Sequence, residues 1–136
     1  MIFVDTGFLV ALAQPSDALH ARALAWAQRI DEPLMVTEYV LLETVNHLSK
    51  LADRVRGQRL VLQVRSDPAF ELVPASTNLF ESGLKLHRER NDKEWSLTDC
   101  ISFQLMRQRD LSRALAFDAH FEQAGFEALL QAEPPE

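Results

Sequence analysis

The amino-acid sequence predicts a three-layer α/β fold in which a central parallel sheet of four to five strands carries helices on both faces. Continuous apolar runs, such as Ile2–Val4 and residues 114–117, are typical of strands that are covered on both sides. Segments with helical periodicity separate these runs along the chain. Because strands that alternate with helices are joined by crossover connections, we expect helices above and below the sheet.

Turn and capping residues divide the amino-terminal half into its elements. Pro33 marks the turn into the second strand, and Thr37 stands where the cap of a third helix is expected. The predicted elements are strand Ile2–Val4, a helix over 7–13, a helix capped by Ser16 or Asp17 that runs to Ile30, a strand over 34–36, a helix from Thr37 to about Ala52 with an apolar face of Leu41, Val45, Leu48 and Ala52, and a helix over 55–64.

The carboxyl-terminal half follows the same alternation. Ser96 is predicted to cap the second of its helices, with Asp99 at the capping-box position. Gly125 closes a last short helix. The predicted elements are strand Phe70–Val73, a helix over 79–90, a helix over 98–108, a strand over 114–117, the short helix before Gly125 and an edge strand within 126–130.

The length and composition fit one domain with its own core. At 136 residues we expect a single domain over 1–131 and a disordered tail over 132–136, which is rich in proline and glutamate. The single cysteine, Cys100, excludes a disulfide framework, as is typical of proteins in a reducing cytoplasm. No run approaches the roughly 18 apolar residues that cross a membrane. The sequence therefore predicts a cytoplasmic protein without a membrane segment.

The charge balance limits the kinds of partner. A net charge of −6 argues against broad, charge-driven binding of nucleic acid. A nucleic-acid enzyme stays open, because a carboxylate site that binds a divalent metal is itself acidic. Basic residues recur in three clusters, which are either solvated helix faces or contacts for phosphates beside such a site. The clusters are Arg54, Arg56 and Arg59; Lys85, Arg88, Arg90 and Lys93; and Arg107, Arg109 and Arg113.

Two aspartates follow predicted strands directly. Asp5 ends the run Ile2–Val4, and Asp118 ends the run 114–117. Ligands of open α/β sheets bind beyond the carboxyl ends of the strands, so these two side chains are expected at one edge of the sheet. Aspartate also stops strands and caps helices. The repetition of the pattern indicates a site that holds metal or exchanges protons.

Two further carboxylates lie on predicted helices, and each has a structural alternative. Glu43 shares a polar strip with Asn46 and His47, which favours a solvated face unless the helix packs across the carboxyl edge of the sheet. Asp99 fits a capping box and complements the helix dipole. A helix amino terminus is also a rigid mount for a ligand residue, so capping and metal binding by Asp99 are compatible.

Four carboxylates in one pocket repel one another strongly unless a cation is present. Hard divalent cations bind carboxylate oxygens and water and remove this repulsion. The matching chemistry is attack of metal-activated water on a phosphodiester, whereas glycoside hydrolysis needs two carboxylates and not four. The histidines lack zinc-site spacing, although His120 is a candidate neighbour of the pocket. Trp95 either stacks on a base or packs within its loop.

The ordered set of motifs resembles a PIN-domain protein, and especially the small ribonuclease toxins of VapBC toxin–antitoxin systems. The matching segments are Asp5-Thr6 after a first strand, Thr37-Glu38 with Glu43 five residues on, residues 96–100 at the start of a helix, and residues 117–121 followed by Gly125.

The resemblance implies a specific site and activity. Asp5, Glu43, Asp99 and Asp118 would bind Mg²⁺ or Mn²⁺, with Thr6 and Thr98 as supporting hydroxyls, and RNA would be cut endonucleolytically. It also implies a homodimer and a cognate antitoxin that covers the pocket. Two alternatives stay open. A phosphatase is disfavoured because Gly7 stands where a second aspartate is usual, and a non-catalytic PIN-fold module would bind RNA or protein without cleavage.

Overall fold

The computed structural model describes residues 1–136 and contains one sheet of five parallel strands. The strands are β1 Ile2–Val4, β2 Leu34–Thr37, β3 Phe70–Val73, β4 Arg113–Leu115 and β5 Glu127–Ala128. Their order across the sheet is β3-β2-β1-β4-β5, and every neighbouring pair is parallel. The first strand is therefore central, and the parallel sheet predicted from the sequence is confirmed.

Seven helices connect the strands. They are α1 Thr6–Ala13, α2 His20–Arg29, α3 Glu38–His47, α4 Arg54–Ser66, α5 Thr77–Glu89, α6 Leu97–Gln108 and α7 Ala119–Gln123. None of them combines the length and the apolar character needed to cross a membrane.

The helices form two layers, one on each face of the sheet. The chain moves from β1 through β2 to β3 in one direction and from β3 through β4 to β5 in the other. Because crossover connections are right-handed, α1–α4 cover one face and α5–α7 cover the other. The helix contacts agree, since α1 packs on α2, α3 and α4, whereas α6 packs on α5 and α7. The predicted three-layer α/β sandwich is confirmed.

Two helix boundaries predicted from the sequence are wrong. Helix α2 begins at His20 and not after Ser16 or Asp17, because the Asp17 carboxylate accepts a hydrogen bond from the Leu19 N–H (2.8 Å) and closes a turn instead. The third helix is capped by Thr37 as predicted, but it ends at His47.

The early end of α3 changes its apolar face. The Leu48 N–H bonds to the carbonyls of both Thr44 and Val45. Leu48 is buried beyond that point, and turns follow it. The predicted face member Ala52 is therefore exposed, and Thr44 is buried in the helix instead.

The strand near residue 115 is shorter than predicted. β4 ends at Leu115, and although Ala116 is buried, Phe117 is exposed. The edge strand expected within 126–130 is confined to Glu127–Ala128 and continues into a 3₁₀ turn, Leu129–Gln131. The last residues contact α2, where the Trp26 indole donates to the Ala132 carbonyl (2.9 Å). The extent of the domain, 1–131, and the disorder of 132–136 stay predictions.

Aromatic side chains fix the positions of α6 and α7 on the sheet. The Phe103 ring of α6 meets the Phe121 ring of α7 edge-on at 4.9 Å between centroids, and Trp95 meets Phe103 in the same way at 5.1 Å. Phe121 also contacts Phe3 of the central strand. All four rings are buried. Such pairs add to the burial energy of the rings, so the two helices are held firmly against β1.

Helices α5 and α6 approach each other closely at Gly83. A Cβ atom added to Gly83 would lie 3.0 Å from both the backbone nitrogen and the Cα of Ile101, which leaves no room for a side chain. Because Ile101 follows Asp99 by two residues in α6, this close approach also sets the position of Asp99.

We expect Gly83→Ala to lower the free energy of unfolding by about 1–3 kcal/mol, the usual range for overpacking. The matched control is Gly7→Ala in α1, where an added Cβ meets nothing within 4 Å. Helix propensity favours alanine over glycine by about 1 kcal/mol, so the control should be neutral or stabilising. Urea unfolding of both variants is the measurement, and equal effects at the two positions would contradict the close packing.

Candidate active site

The four predicted carboxylates line one cavity of about 710 Å³. Asp5 follows β1, Asp118 lies three residues beyond β4, Asp99 is in the first turn of α6, and Glu43 is in the middle of α3. The cavity therefore lies at the carboxyl edge of the sheet, where helices from both faces reach over the strand ends. Thr6 also lines it, whereas Thr98 is not among its lining residues.

Asp5 is the most buried of these acids. Its relative exposure is 8%, because it follows the fully buried central strand. Its N–H donates to the Leu115 carbonyl (3.2 Å), and its side chain makes no capping bond to α1. Burial, with a further contribution from the neighbouring Asp99 carboxylate, raises the pKa of Asp5 from 3.8 to about 8. Without a cation, this carboxyl group holds a proton at neutral pH.

Asp99 caps α6 and also lines the cavity. Its N–H donates to Ser96 Oγ (3.0 Å), and its carboxylate accepts from the Ser96 N–H (3.1 Å), so the predicted capping box is confirmed. The other contact of the carboxylate is His120 Nδ1, 3.1 Å from Asp99 Oδ2. Burial still raises the pKa of Asp99, although both partners oppose the shift. The carboxylate thus faces the cavity from a fixed mount.

Asp118 and His120 lie next to Asp99 in the cavity wall. The Asp118 side chain caps α7 by accepting the His120 N–H (3.0 Å), and it is half exposed. The His120 ring lies between two acids, since its Nδ1 is also 3.4 Å from Asp118 Oδ1. His120, which the sequence offered only as a candidate neighbour of the pocket, lines the cavity. This ring is the link that ties Asp99 to Asp118.

Glu43 lies in the cavity wall and not on a fully solvated face. It is half-buried, and His47, one turn further along α3, lines the same cavity. The negative charge of Glu43 is one of the influences that raise the pKa of Asp5. Helix α3 therefore packs across the carboxyl edge of the sheet. Glu43 could belong to the site only if the helix had this position.

A buried hydroxyl group without a partner lies beside Asp5. Thr6 Oγ1 is buried and makes no hydrogen bond. The only other such atom is Ser102 Oγ, in α6 outside the cavity wall. Buried hydroxyls nearly always have partners, so an unpaired one in a site points to a missing water or ligand.

The donor set fits a divalent cation in its chemistry. Four carboxylates offer hard oxygen ligands, and the unpaired Thr6 hydroxyl is placed to meet a bound water. The acids do not form a finished cluster, since no three His, Cys, Asp or Glu side chains stand where they could hold an ion together. Asp99 is held by Ser96 and His120, so a cation shared by several of these carboxylates would require movement of the other side chains.

Trp95 is packed, as one of the two interpretations expected, but against α6 and α7, and it is not available for stacking on a base. Its exposure is 3%, and its indole N–H donates to Gln123 Oε1 (3.0 Å). Other cavity residues were not identified from the sequence: Asp17, Leu19, His47, Glu94, Phe117 and Gln131. For Phe117, the only sequence signal was that it directly precedes the candidate residue Asp118.

Comparison with known proteins gives one consistent result. The PIN domain family model matches residues 2–127. The 23S rRNA-specific endonuclease VapC20 of Mycobacterium tuberculosis is 32% identical over 127 residues, which cover 93% of this chain and 95% of the relative. The crystal structure of VapC20, described as a sarcin–ricin loop cleaving toxin, has a TM-score of 0.89 at 28% identity and covers 98% of this chain and 100% of that chain.

Two more distant structures share the fold. FitAcB from Neisseria gonorrhoeae has a TM-score of 0.64 and covers 93% of this chain and 95% of that one. A toxin–antitoxin complex from Klebsiella pneumoniae has a TM-score of 0.57 and covers 83% of each chain. Both are 18% identical to this chain, so they show the fold alone. The chain belongs to the PIN-domain family.

The raised pKa of Asp5 predicts how stability depends on pH in metal-free buffer. The folded state binds the Asp5 proton more tightly than the unfolded state, so this contribution is complete below about pH 4 and is lost as the pH rises through about 8. Asp5→Asn should therefore flatten the fall in unfolding free energy. At pH 8.5 the unfolding free energy of Asp5→Asn should exceed that of the parent by about 1 kcal/mol or more, since one pKa unit corresponds to about 1.4 kcal/mol.

Urea unfolding in EDTA between pH 5 and 9 measures this effect. Asp31→Asn is the control, because Asp31 is exposed and lies at the opposite edge of the sheet, just before β2. If Asp5→Asn and the parent show the same dependence of unfolding free energy on pH, the pKa of Asp5 is not raised in the folded protein.

Proposed function

We propose that the chain is a metal-dependent endoribonuclease that hydrolyses RNA phosphodiester bonds, and that it is the toxin of a type II toxin–antitoxin pair. The observation that carries the proposal is the cavity in which Asp5, Glu43, Asp99 and Asp118 meet from four separate elements. Membership of the PIN-domain family supports it, as does likeness over nearly the whole chain to an endonuclease specific for 23S rRNA. We propose ribosomal RNA as the substrate class for the same reason.

The residues that would hold Mg²⁺ or Mn²⁺ are Asp5, Glu43, Asp99 and Asp118. A bound cation would supply Lewis-acid activation of water and neutralise the charge on the phosphate. A cation bound beside Asp5 would lower its pKa, which is about 8 without one, so Asp5 would give up its proton on binding. Ser96 and His120 fix the direction of Asp99, and the exposed Asp118 is open to the substrate side.

Local positive charge supports binding of a polyanion despite the acidic total. Lys50, Arg54 and Arg56 are exposed and follow His47, a residue of the cavity wall. Helix α4 begins there and ends near the start of β3, so its first turn lies toward the carboxyl edge. As part of this proposal, these side chains would contact phosphates of an RNA that enters the cavity.

The partners follow from the same proposal. A cognate antitoxin would cover the cavity and prevent access of RNA, and the toxin would form a homodimer in the cytoplasm. The fold shared with a protein solved in a toxin–antitoxin complex supports the antitoxin. A non-catalytic PIN-fold module is the alternative, and it predicts RNA or protein binding without cleavage.

Cleavage of ribosomal RNA tests the proposal directly. With Mg²⁺ or Mn²⁺ the parent should cut at discrete sites, and EDTA should abolish cleavage. Asp5→Asn and Asp99→Asn should each reduce the rate roughly 100-fold or more, the usual cost of removing a preorganised charged group from an active site. Asp31→Asn changes the same charge at the other edge of the sheet and should cut like the parent. Binding of RNA without metal-dependent cleavage by the folded parent would favour the non-catalytic module.

A further inference from the structure

An exposed aromatic ring lines the carboxylate cavity. Phe117 is 44% exposed, and it is the only phenylalanine, tyrosine or tryptophan among the sixteen residues of the cavity wall. Only four of those residues are hydrophobic. Exposure of a single apolar residue is ordinary by itself, and Leu51 is more exposed than Phe117. The unusual feature is the place of the ring, in the wall of a polar, acidic site next to Asp118.

Folding does not account for this exposure. The residues on either side of the segment are fully buried, since Leu115 and Ala116 are covered before it and Phe121 after it. The core already contains the aromatic contacts of Phe121 with Phe3 and Phe103. Phe117 adds nothing to that cluster.

The backbone that presents the ring is held on both sides. The Leu130 N–H donates to the Ala116 carbonyl (3.0 Å), and the Gln131 side-chain amide donates to the Phe117 carbonyl. Directly afterwards, Asp118 caps α7. The ring is therefore mounted on a rigid segment between β4 and α7, so little conformational entropy is lost when a flat ligand packs on it.

We propose that Phe117 forms a nucleobase subsite, in which its ring stacks on a base of the nucleotide next to the cleaved phosphodiester. This inference rests on the proposed function, because it assigns RNA to the same cavity. Every nucleobase has a π-face, and RNA loops with unstacked bases are recognised by stacking on aromatic side chains. The phenyl ring carries no hydrogen-bonding group, so the subsite selects an unstacked nucleotide and not a particular base.

The test uses the shortest RNA oligonucleotide that the parent cuts, mapped from digested ribosomal RNA. Phe117→Ala and Phe117→Leu should both reduce kcat/KM about tenfold to a hundredfold, the range for loss of one stacked base, whereas Phe117→Trp should retain cleavage. Phe80→Ala is the matched control, because Phe80 is equally exposed at 42% but lies on α5 outside the cavity. Its cleavage should equal that of the parent.

An abasic nucleotide at each position flanking the cleaved bond separates stacking from a structural role. At one of these positions, the abasic nucleotide should lower the kcat/KM of the parent. The factor should equal the one by which Phe117→Ala lowers kcat/KM on the intact RNA. The two changes together should cost no more than either alone, because they remove the same contact. Quenching of 2-aminopurine at that position by the parent, and not by Phe117→Leu, reports the stacked ring directly.

The outcomes distinguish this inference from the function on which it rests. A parent that cuts no RNA with either metal overturns both. A parent that cuts, together with Phe117→Ala or Phe117→Leu at parental kcat/KM, overturns the subsite and leaves the nuclease standing. The same conclusion follows if the losses from Phe117→Ala and the abasic RNA simply multiply, or if Phe80→Ala loses as much as Phe117→Ala.

Discussion

Burial of the Asp5 carboxyl group among other acids is the constraint on which the site depends. Asp5 follows a central strand whose three residues are fully buried, so only a small part of its side chain is exposed, on the cavity side. Burial raises its pKa, and the negative charges of Asp99, Glu43 and Asp118 raise it further. Such a group is stable only when it holds a proton or meets a cation. In the protein alone, the fold therefore keeps a carboxylate site whose negative charges are not balanced by positive ones.

The rest of the structure holds these acids in place against their repulsion. Helix α6 brings Asp99 from one face of the sheet and α3 brings Glu43 from the other. The contact between Gly83 and Ile101 and the buried aromatic rings fix α6, and the capping box then fixes the Asp99 side chain. Residues that stabilise helix ends, such as Ser96, therefore also determine the geometry available for a cation.

Local signals predicted much of this arrangement. Strand-end aspartates, the Ser96–Asp99 capping box and the alternation of strands and helices all follow from short segments of sequence. The errors arose where tertiary contacts override local pattern. Leu48 is buried just beyond the early end of α3. The apolar run 114–117 predicted a strand that includes Phe117, but β4 ends at Leu115 and Phe117 is exposed, because an apolar run does not show which of its residues neighbouring segments cover. The contact of His120 with Asp99 joins positions 21 residues apart and has no local signature.

Binding of Mn²⁺ measured by calorimetry at pH 7, in two buffers of different ionisation enthalpy, tests the central claim most directly. Since Asp5 holds a proton in the metal-free protein, binding should release close to one proton per chain. Asp5→Asn should weaken binding and abolish the release. Absence of Mn²⁺ binding by the folded parent, or binding with no proton release, would contradict the claim that a cation resolves the repulsion around Asp5.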